Sequence, residues 1–229
     1  MKIAIAICST RDWKPHFGVS LVGLVGHVIA GGVKNEKLEQ FDLLTRSNCS
    51  NLCNGRASVL EEAIERGFTH VLLLDDDGSF PPDIIDELAK HKKQVVGANL
   101  PHKTLDSPGT ALGMDGKPVI GDGLQEVVAM GLAIVLIDLS ALKKLQKPWF
   151  ETRWIPQMNQ VCGEDFYFIT SLRKEGVQIF VDQDLSRKCG HIGDFAFTLK
   201  DDALSLGEFE NMVGGKVEAI EPVSDGKHS

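Results

Sequence analysis

The sequence predicts an α/β protein in which a mostly parallel central sheet is wrapped by helices on both faces. Three observations predict it. Short apolar runs rich in isoleucine, valine and leucine recur at Lys2–Cys8, Phe41–Arg46, Val71–Leu74 and Gln94–Ala98, as expected of strands buried on both faces. Segments with helical spacing separate them, and strand, helix, strand, helix, strand over the first hundred residues is the order a parallel sheet requires. Glycines and prolines punctuate the boundaries, as at Gly31-Gly32, Gly67 and Phe80-Pro81-Pro82.

Lys2–Cys8 alternates isoleucine with alanine and reads as the first strand. Ser9-Thr10-Arg11 follows at its carboxyl end, the edge at which open α/β sheets bind ligands, although a plain loop is an equal reading. Phe17–Ala30 reads as a helix stopped by Gly31-Gly32. Asn51–Arg66 is a clearer helix, with Leu52, Val59, Leu60, Ala63 and Ile64 at helical spacing between charged residues. Arg56 lies near its amino end, where a cation opposes the helix dipole; it is expected either to meet an anion or to be an ordinary surface arginine.

Thr69–Leu74 reads as a central strand and runs directly into Asp75-Asp76-Asp77. If extended geometry continues, Asp75 and Asp77 point one way and Asp76 the other. Acids converging in this way need a cation, a donor array or water, and a divalent metal is the economical answer. The alternative is a polar turn in which Asp77 or Ser79 caps the next helix.

Phe80-Pro81-Pro82 leads into a helix through Leu88 and Ala89. Pro101–Gly123 reads as a glycine- and proline-rich loop, expected to form a mobile flap. Glu126–Met130 and Ala133–Ile137 read as strands broken at Gly131, and Ser140–Leu145 as a short helix capped by Ser140. Trp149, Phe150 and Trp154 fall on a predicted loop, where a tryptophan either stacks on a sugar ring or anchors the chain, the second being commoner. Glu164 and Asp165 open a helix, a place where acids also simply complement the dipole. Gln178–Val181 reads as a last strand, and His191 stands between glycines with little apolar cover. The segment after Phe209 is expected to be poorly ordered.

A chain of 229 residues is long enough for one compact unit with a real core. Its net charge of -8 and the lack of a basic stripe argue against a nucleic-acid partner. Phe17–Val33, the longest apolar run, falls short of the roughly 20 residues of a membrane span. Arg11, Asp12 and Lys14 arrive too early for a signal-peptide core, so a cytoplasmic location is expected. Five scattered cysteines favour reduced thiols. A zinc site from Cys49, Cys53, Cys189 and His191 would match no common spacing.

In their order along the chain, several of these stretches resemble the small soluble glycosyltransferases of the GT-A fold, the family 2-like enzymes of bacteria and phages. Asn54-Gly55-Arg56, then Val71–Leu74 with Asp75-Asp76-Asp77 and Phe80-Pro81-Pro82, is similar to that family's arginine-bearing helix and "DxD" element. Val96–Lys103, Gly131–Ile137, Pro148-Trp149-Phe150, Gly163–Phe168 and Gly190–Gly193 are similar to the segments that follow. The resemblance spans roughly residues 1–195.

It implies a nucleotide-diphospho-sugar transferase fold and a metal-dependent transfer of sugar from a nucleotide-sugar, a UDP-sugar foremost, to a glycan or other hydroxyl acceptor. Residues 1–100 would form the nucleotide-sugar-binding half, 101–200 the acceptor-side and catalytic half of the same domain, and 201–229 a C-terminal segment. Ser9, Thr10, Arg11, Arg56, Asp75 and Asp76 would line the nucleotide-sugar pocket. Asp77 and His191 would hold Mn²⁺, or Mg²⁺. Asp165, or else Glu164, would be the general base of an inverting reaction, and Gly131 and Trp149 would meet the acceptor. Two other classes stay open: a nucleotidyltransferase, for which Ser9-Thr10-Arg11 lacks the glycine-rich phosphate loop, and a catalytically silent nucleotide- or sugar-binding protein.

Overall fold

The computed structural model describes residues 1–10, 12–104, 107–193 and 196–197, with the last pair and Met158 known by backbone alone. Its elements in chain order begin with β1 (Lys2–Cys8), α1 (Pro15–Ile29), β2 (Gln40–Arg46), α2 (Leu52–Glu65), β3 (His70–Leu74), β4 (Gly78–Ser79), α3 (Ile84–Ala89) and β5 (Val95–Gly97). They continue with β6 (Leu112–Gly113), β7 (Leu124–Ala129), β8 (Ile134–Asp138), a 3-10 turn (Leu139–Lys144), β9 (Arg153–Ile155), β10 (Gln160–Cys162), α4 (Glu164–Lys174), β11 (Ile179–Asp182), α5 (Gln183–Ser186), β12 (Gly190–Ile192) and β13 (Ala196–Phe197).

Eight strands form one sheet in the order β2-β1-β3-β8-β5-β11-β7-β6. β1 pairs in parallel with β2 and β3, and β5 with β11, whereas β8 and β7 run against their neighbours. The architecture is thus a mixed α/β layer structure around a large, mostly parallel sheet.

Period-two alternation along the strands builds two cores. Ala4, Ala6, Cys8, Val71 and Leu73 pack on one face with Val59, Leu60 and Ala63 of α2 and Phe168, Ile169 and Leu172 of α4. Ile3, Ile5, Ile7, Leu72 and Leu74 pack on the other with Phe17, Leu21 and Leu24 of α1 and Ile84, Ile85 and Leu88 of α3. A one-residue slip of β1 or β3 would exchange the two sets, so the pattern fixes register.

Local chemistry sets the boundaries. Asn51 caps α2 by accepting from the Asn54 amide at 3.3 Å, and Gly67 follows in the left-handed region at φ 73°. The cap of the turn after β8 is Asp138, not Ser140: its carboxylate accepts from the Ser140 amide at 2.8 Å.

The Pro101–Gly123 stretch is only partly a free loop. Buried Asn99 accepts from the Ala111 amide at 2.9 Å, and Gln183 donates to the Val119 carbonyl at 3.2 Å. Ala111 and Val119 are themselves buried. A glycine pattern alone could not reveal that buried amides from elsewhere in the chain satisfy this backbone. The predicted tail after Phe209 lies outside the described residues. Among the described residues no helix is long and apolar enough to cross a membrane.

Candidate active site

Strands β1 and β3 end side by side, which brings Ser9 next to the Asp75-Asp76-Asp77 segment. Extended geometry stops at Leu74. The Asp75 amide donates to the Ala133 carbonyl at 2.9 Å, and the chain then turns, with the Gly78 amide donating back to the Asp75 carbonyl at 3.3 Å. The Asp76 carbonyl accepts from the Lys14 amide at 3.0 Å and the Asp77 carbonyl from the Ile192 amide at 2.7 Å. This turn corrects the expectation that Asp75 and Asp77 share a side. The three carboxylates fan out to different partners.

Asp75 keeps the direction that alternation gives it, toward α2 and α4. Arg56 of α2 is 5% exposed and donates to Asp75 Oδ1 and to Glu164 Oε1, each at 2.7 Å. Burial opposes the guanidinium charge, but Asp75, Glu164 and Asp165 outweigh it and raise the Arg56 pKa further. Arg56 therefore does meet anions, and they are the protein's own.

Asp76 meets Ser9 instead. Burial, and then the Asp77 charge, push its pKa up, while a hydrogen bond from Ser9 works against them. Ser9 is buried, and its hydroxyl accepts from the Trp13 indole at 2.7 Å. Thr10 is exposed, and Arg11 lies outside the described residues.

Asp77 meets Lys103 Nζ at 2.5 Å through Oδ2 and His191 Nε2 at 3.4 Å through Oδ1. Burial opposes its charge, but the bonds from His191 and Lys103 more than offset this and hold it down to about 2. His191 arrives on β12, whose pairing with β4 sets it opposite Gly78. Its Nδ1 lies 2.8 Å from the Pro101 carbonyl. A carbonyl only accepts, so Nδ1 carries a proton, and a neutral ring then turns its Nε2 lone pair toward the Asp77 carboxylate. A carbonyl on the far nitrogen is also the usual support of a metal-ligating histidine.

Asp77 and His191 are the pair here that could hold a cation, and Lys103 occupies the Oδ2 side of that carboxylate. Among the described residues no group of three His, Cys, Asp or Glu side chains is placed to hold a metal. The zinc set does not assemble: Cys49 and Cys53 pack on the α2 side of the sheet and Cys189 in the opposite core. All five thiols are free, with burial pushing Cys8 up to about 12 and raising Cys189 further.

At the amino end of α4, Glu164 is held by Arg56, while among the described residues Asp165 accepts a single, local bond, from the Phe166 amide at 2.7 Å. Burial is the main cause of a raised Asp165 pKa, with the charges of Glu164 and Asp75 adding to it and Arg56 opposing it. Gly131 faces this acid. A Cβ there would lie 3.7 Å from Asp165 Oδ2 and 3.1 Å from Thr110 Oγ1, which accepts the Gly131 amide at 3.2 Å. Trp149 takes the anchoring role instead: it is 7% exposed in the core, and its indole donates to the Leu145 carbonyl at 3.3 Å. Trp154, on the β9–β10 hairpin, stays at the surface.

The side chain that sequence reasoning overlooked is Lys103. It lies in a stretch similar to the family pattern, but no spacing rule ties residue 103 to Asp77.

No protein-family model matches the chain, and no curated protein sequence matches it. Among solved structures it is similar to the protein A197 from STIV, with a TM-score of 0.62 and 19% identity over 98% of this chain and 100% of that one. At that identity the likeness speaks for a shared fold alone. Weaker likenesses are to GalNAc-T7 with UDP, GalNAc and Mn²⁺ (TM-score 0.46, 12% identity, 93% of this chain and 48% of that one) and to S. aureus TarS 1-349 (0.42, 13%, 80% and 58%).

Proposed function

We propose that the chain is a metal-dependent glycosyltransferase of GT-A type, moving a sugar from a nucleotide-sugar to a hydroxyl acceptor. The observation that carries this reading is the convergence of Asp75-Asp76-Asp77, Arg56, Glu164-Asp165 and His191 at the ends of β1 and β3, since residues more than a hundred positions apart meet there. The order of motifs in the sequence supports it independently.

In this reading Ser9, Thr10, Arg11 and Asp76 border the nucleotide, and Asp75 contacts it. Arg56 acts on that side by holding Asp75 in place. Asp77 and His191 would hold Mn²⁺ or Mg²⁺, which when bound would neutralise charge on the departing nucleoside diphosphate. Asp165 takes the proton of the acceptor hydroxyl as its oxygen attacks the anomeric carbon from the side opposite the leaving group, so the product is inverted. The raised Asp165 pKa suits a proton acceptor. Glu164, already paired with Arg56, is the weaker candidate for base. Gly131, beside Asp165, leaves room for the hydroxyl.

The test is a thermal-shift series of nucleoside diphosphates with and without Mn²⁺. The expected result is metal-dependent stabilisation by one of them, UDP foremost. No response to any nucleotide would overturn the donor site. Retention of configuration in the product would overturn Asp165 as base.

A further inference from the structure

At Asp77 the protein's own cation stands where a divalent ion would bind. Lys103 Nζ and the metal cannot both occupy the Oδ2 side of this carboxylate, because two cations at one oxygen repel and each demands the same lone pairs. The loop carrying Lys103 is pinned to the site two residues earlier, where the Pro101 carbonyl accepts from His191 Nδ1 at 2.8 Å. The ammonium itself rides on a flexible four-carbon stem. Its side chain is 36% exposed, against 6% for Arg56 on the neighbouring acid. Lys103 can therefore leave its carboxylate by rotating its side chain, whereas Arg56 cannot.

We propose that Lys103 is the resting counter-ion of Asp77, displaced when the divalent metal binds and turned onto the phosphate oxygens of the nucleoside diphosphate. This rests on the reading of Asp77 and His191 as metal ligands. No covalent bond changes: a carboxylate exchanges an ammonium partner for a metal partner, and the ammonium exchanges a carboxylate for a phosphate. Metal binding alone must break the Lys103 pair, and the incoming diphosphate gives that cation a new partner. Metal and nucleotide are then coupled, each favouring the other.

Removing the ammonium should move two affinities in opposite directions, which a merely structural lesion would not do. The experiment measures Mn²⁺ binding without nucleotide by the electron paramagnetic resonance signal of the free ion, and UDP binding at saturating Mn²⁺ by calorimetry. It uses the full chain as wild type, Lys103→Met and Lys103→Arg. Lys103→Met is expected to bind Mn²⁺ alone about two- to fivefold more tightly, the range a half-exposed ion pair supports, and UDP about tenfold more weakly. Lys103→Arg keeps a cation and should stay within about twofold of wild type in both, in keeping with a role for charge rather than shape.

Wild-type Mn²⁺ binding that Lys103→Met leaves unchanged or weakens would overturn the exchange while leaving the metal ligands standing. Tighter Mn²⁺ binding with unaltered UDP affinity would overturn the move onto the diphosphate. Failure of all three proteins to bind Mn²⁺ would overturn the metal reading of Asp77 and His191, and the exchange with it.

Discussion

Asp75 and Asp77 stand two residues apart and have their charges met in different ways. Asp75 is paired with an arginine that is 5% exposed and shared with Glu164. Asp77 is paired with a half-exposed lysine and a histidine on a three-residue strand. The first arrangement is fixed, because freeing Arg56 would leave a buried charge unpaired. The second is exchangeable, because both of its partners reach water. The difference suits a site in which one acid organises the protein and its neighbour is handed to a ligand.

Breaking the fixed side at its chemical end should have the largest effect. Asp165→Asn is expected to lower transfer by about 10²- to 10⁴-fold with UDP affinity kept; turnover near wild type would remove Asp165 from the mechanism. Breaking it at its structural end comes next. Arg56→Met should destabilise the fold by about 3 kcal/mol, read from urea unfolding, by stranding Asp75 and Glu164. If instead stability is unchanged, the pair is not the anchor described.

Breaking the exchangeable side should move stability less. Asp77→Asn is expected to cost about 1–2 kcal/mol in the same assay near neutral pH, because it gives up the stabilisation of a carboxylate held down to about 2. It should nevertheless abolish the Mn²⁺-dependent part of the UDP thermal shift.

The comparison also has a signature in pH. The Asp165 pKa is raised in the folded protein, and the base form exists only above it. The acid limb of turnover should therefore lie above the usual Asp value of about 3.9, and it should rise further in any Arg56 variant that folds, since Arg56 holds it down. Asp77 behaves oppositely. Its folded pKa is depressed to about 2, so the stability it contributes is complete above about 4 and is lost as pH falls through 2. That acid-linked loss should vanish in Asp77→Asn, the smallest of these effects.

Much of the scaffold was legible because it rests on local pattern. Alternation in Lys2–Cys8 and helical spacing in Asn51–Arg66 report which faces are buried, and both elements form within a residue or so of their expected ends. The minor strands β4, β12 and β13 were illegible, since two or three residues carry no period and β12 meets β4 from more than a hundred residues away. The direction of Asp77 was missed for a related reason: the backbone turn that redirects it is held by the Ile192 amide. Trp149 and Trp154 are chemically alike in sequence, and packing alone buries one and exposes the other.

By itself, the sequence determined the strand-helix alternation, the two-faced sheet and the set of acids at the end of its central strand. These follow from side-chain periodicity and backbone preference, which act between near neighbours. Only the tertiary structure decided that Arg56 is committed to Asp75 and Glu164, that Asp165 is the less encumbered acid, and that Lys103 and His191 share Asp77. Those are pairings of charge across long stretches of chain. Their strength depends on burial and on distances of a few ångströms, neither of which a linear order of residues contains.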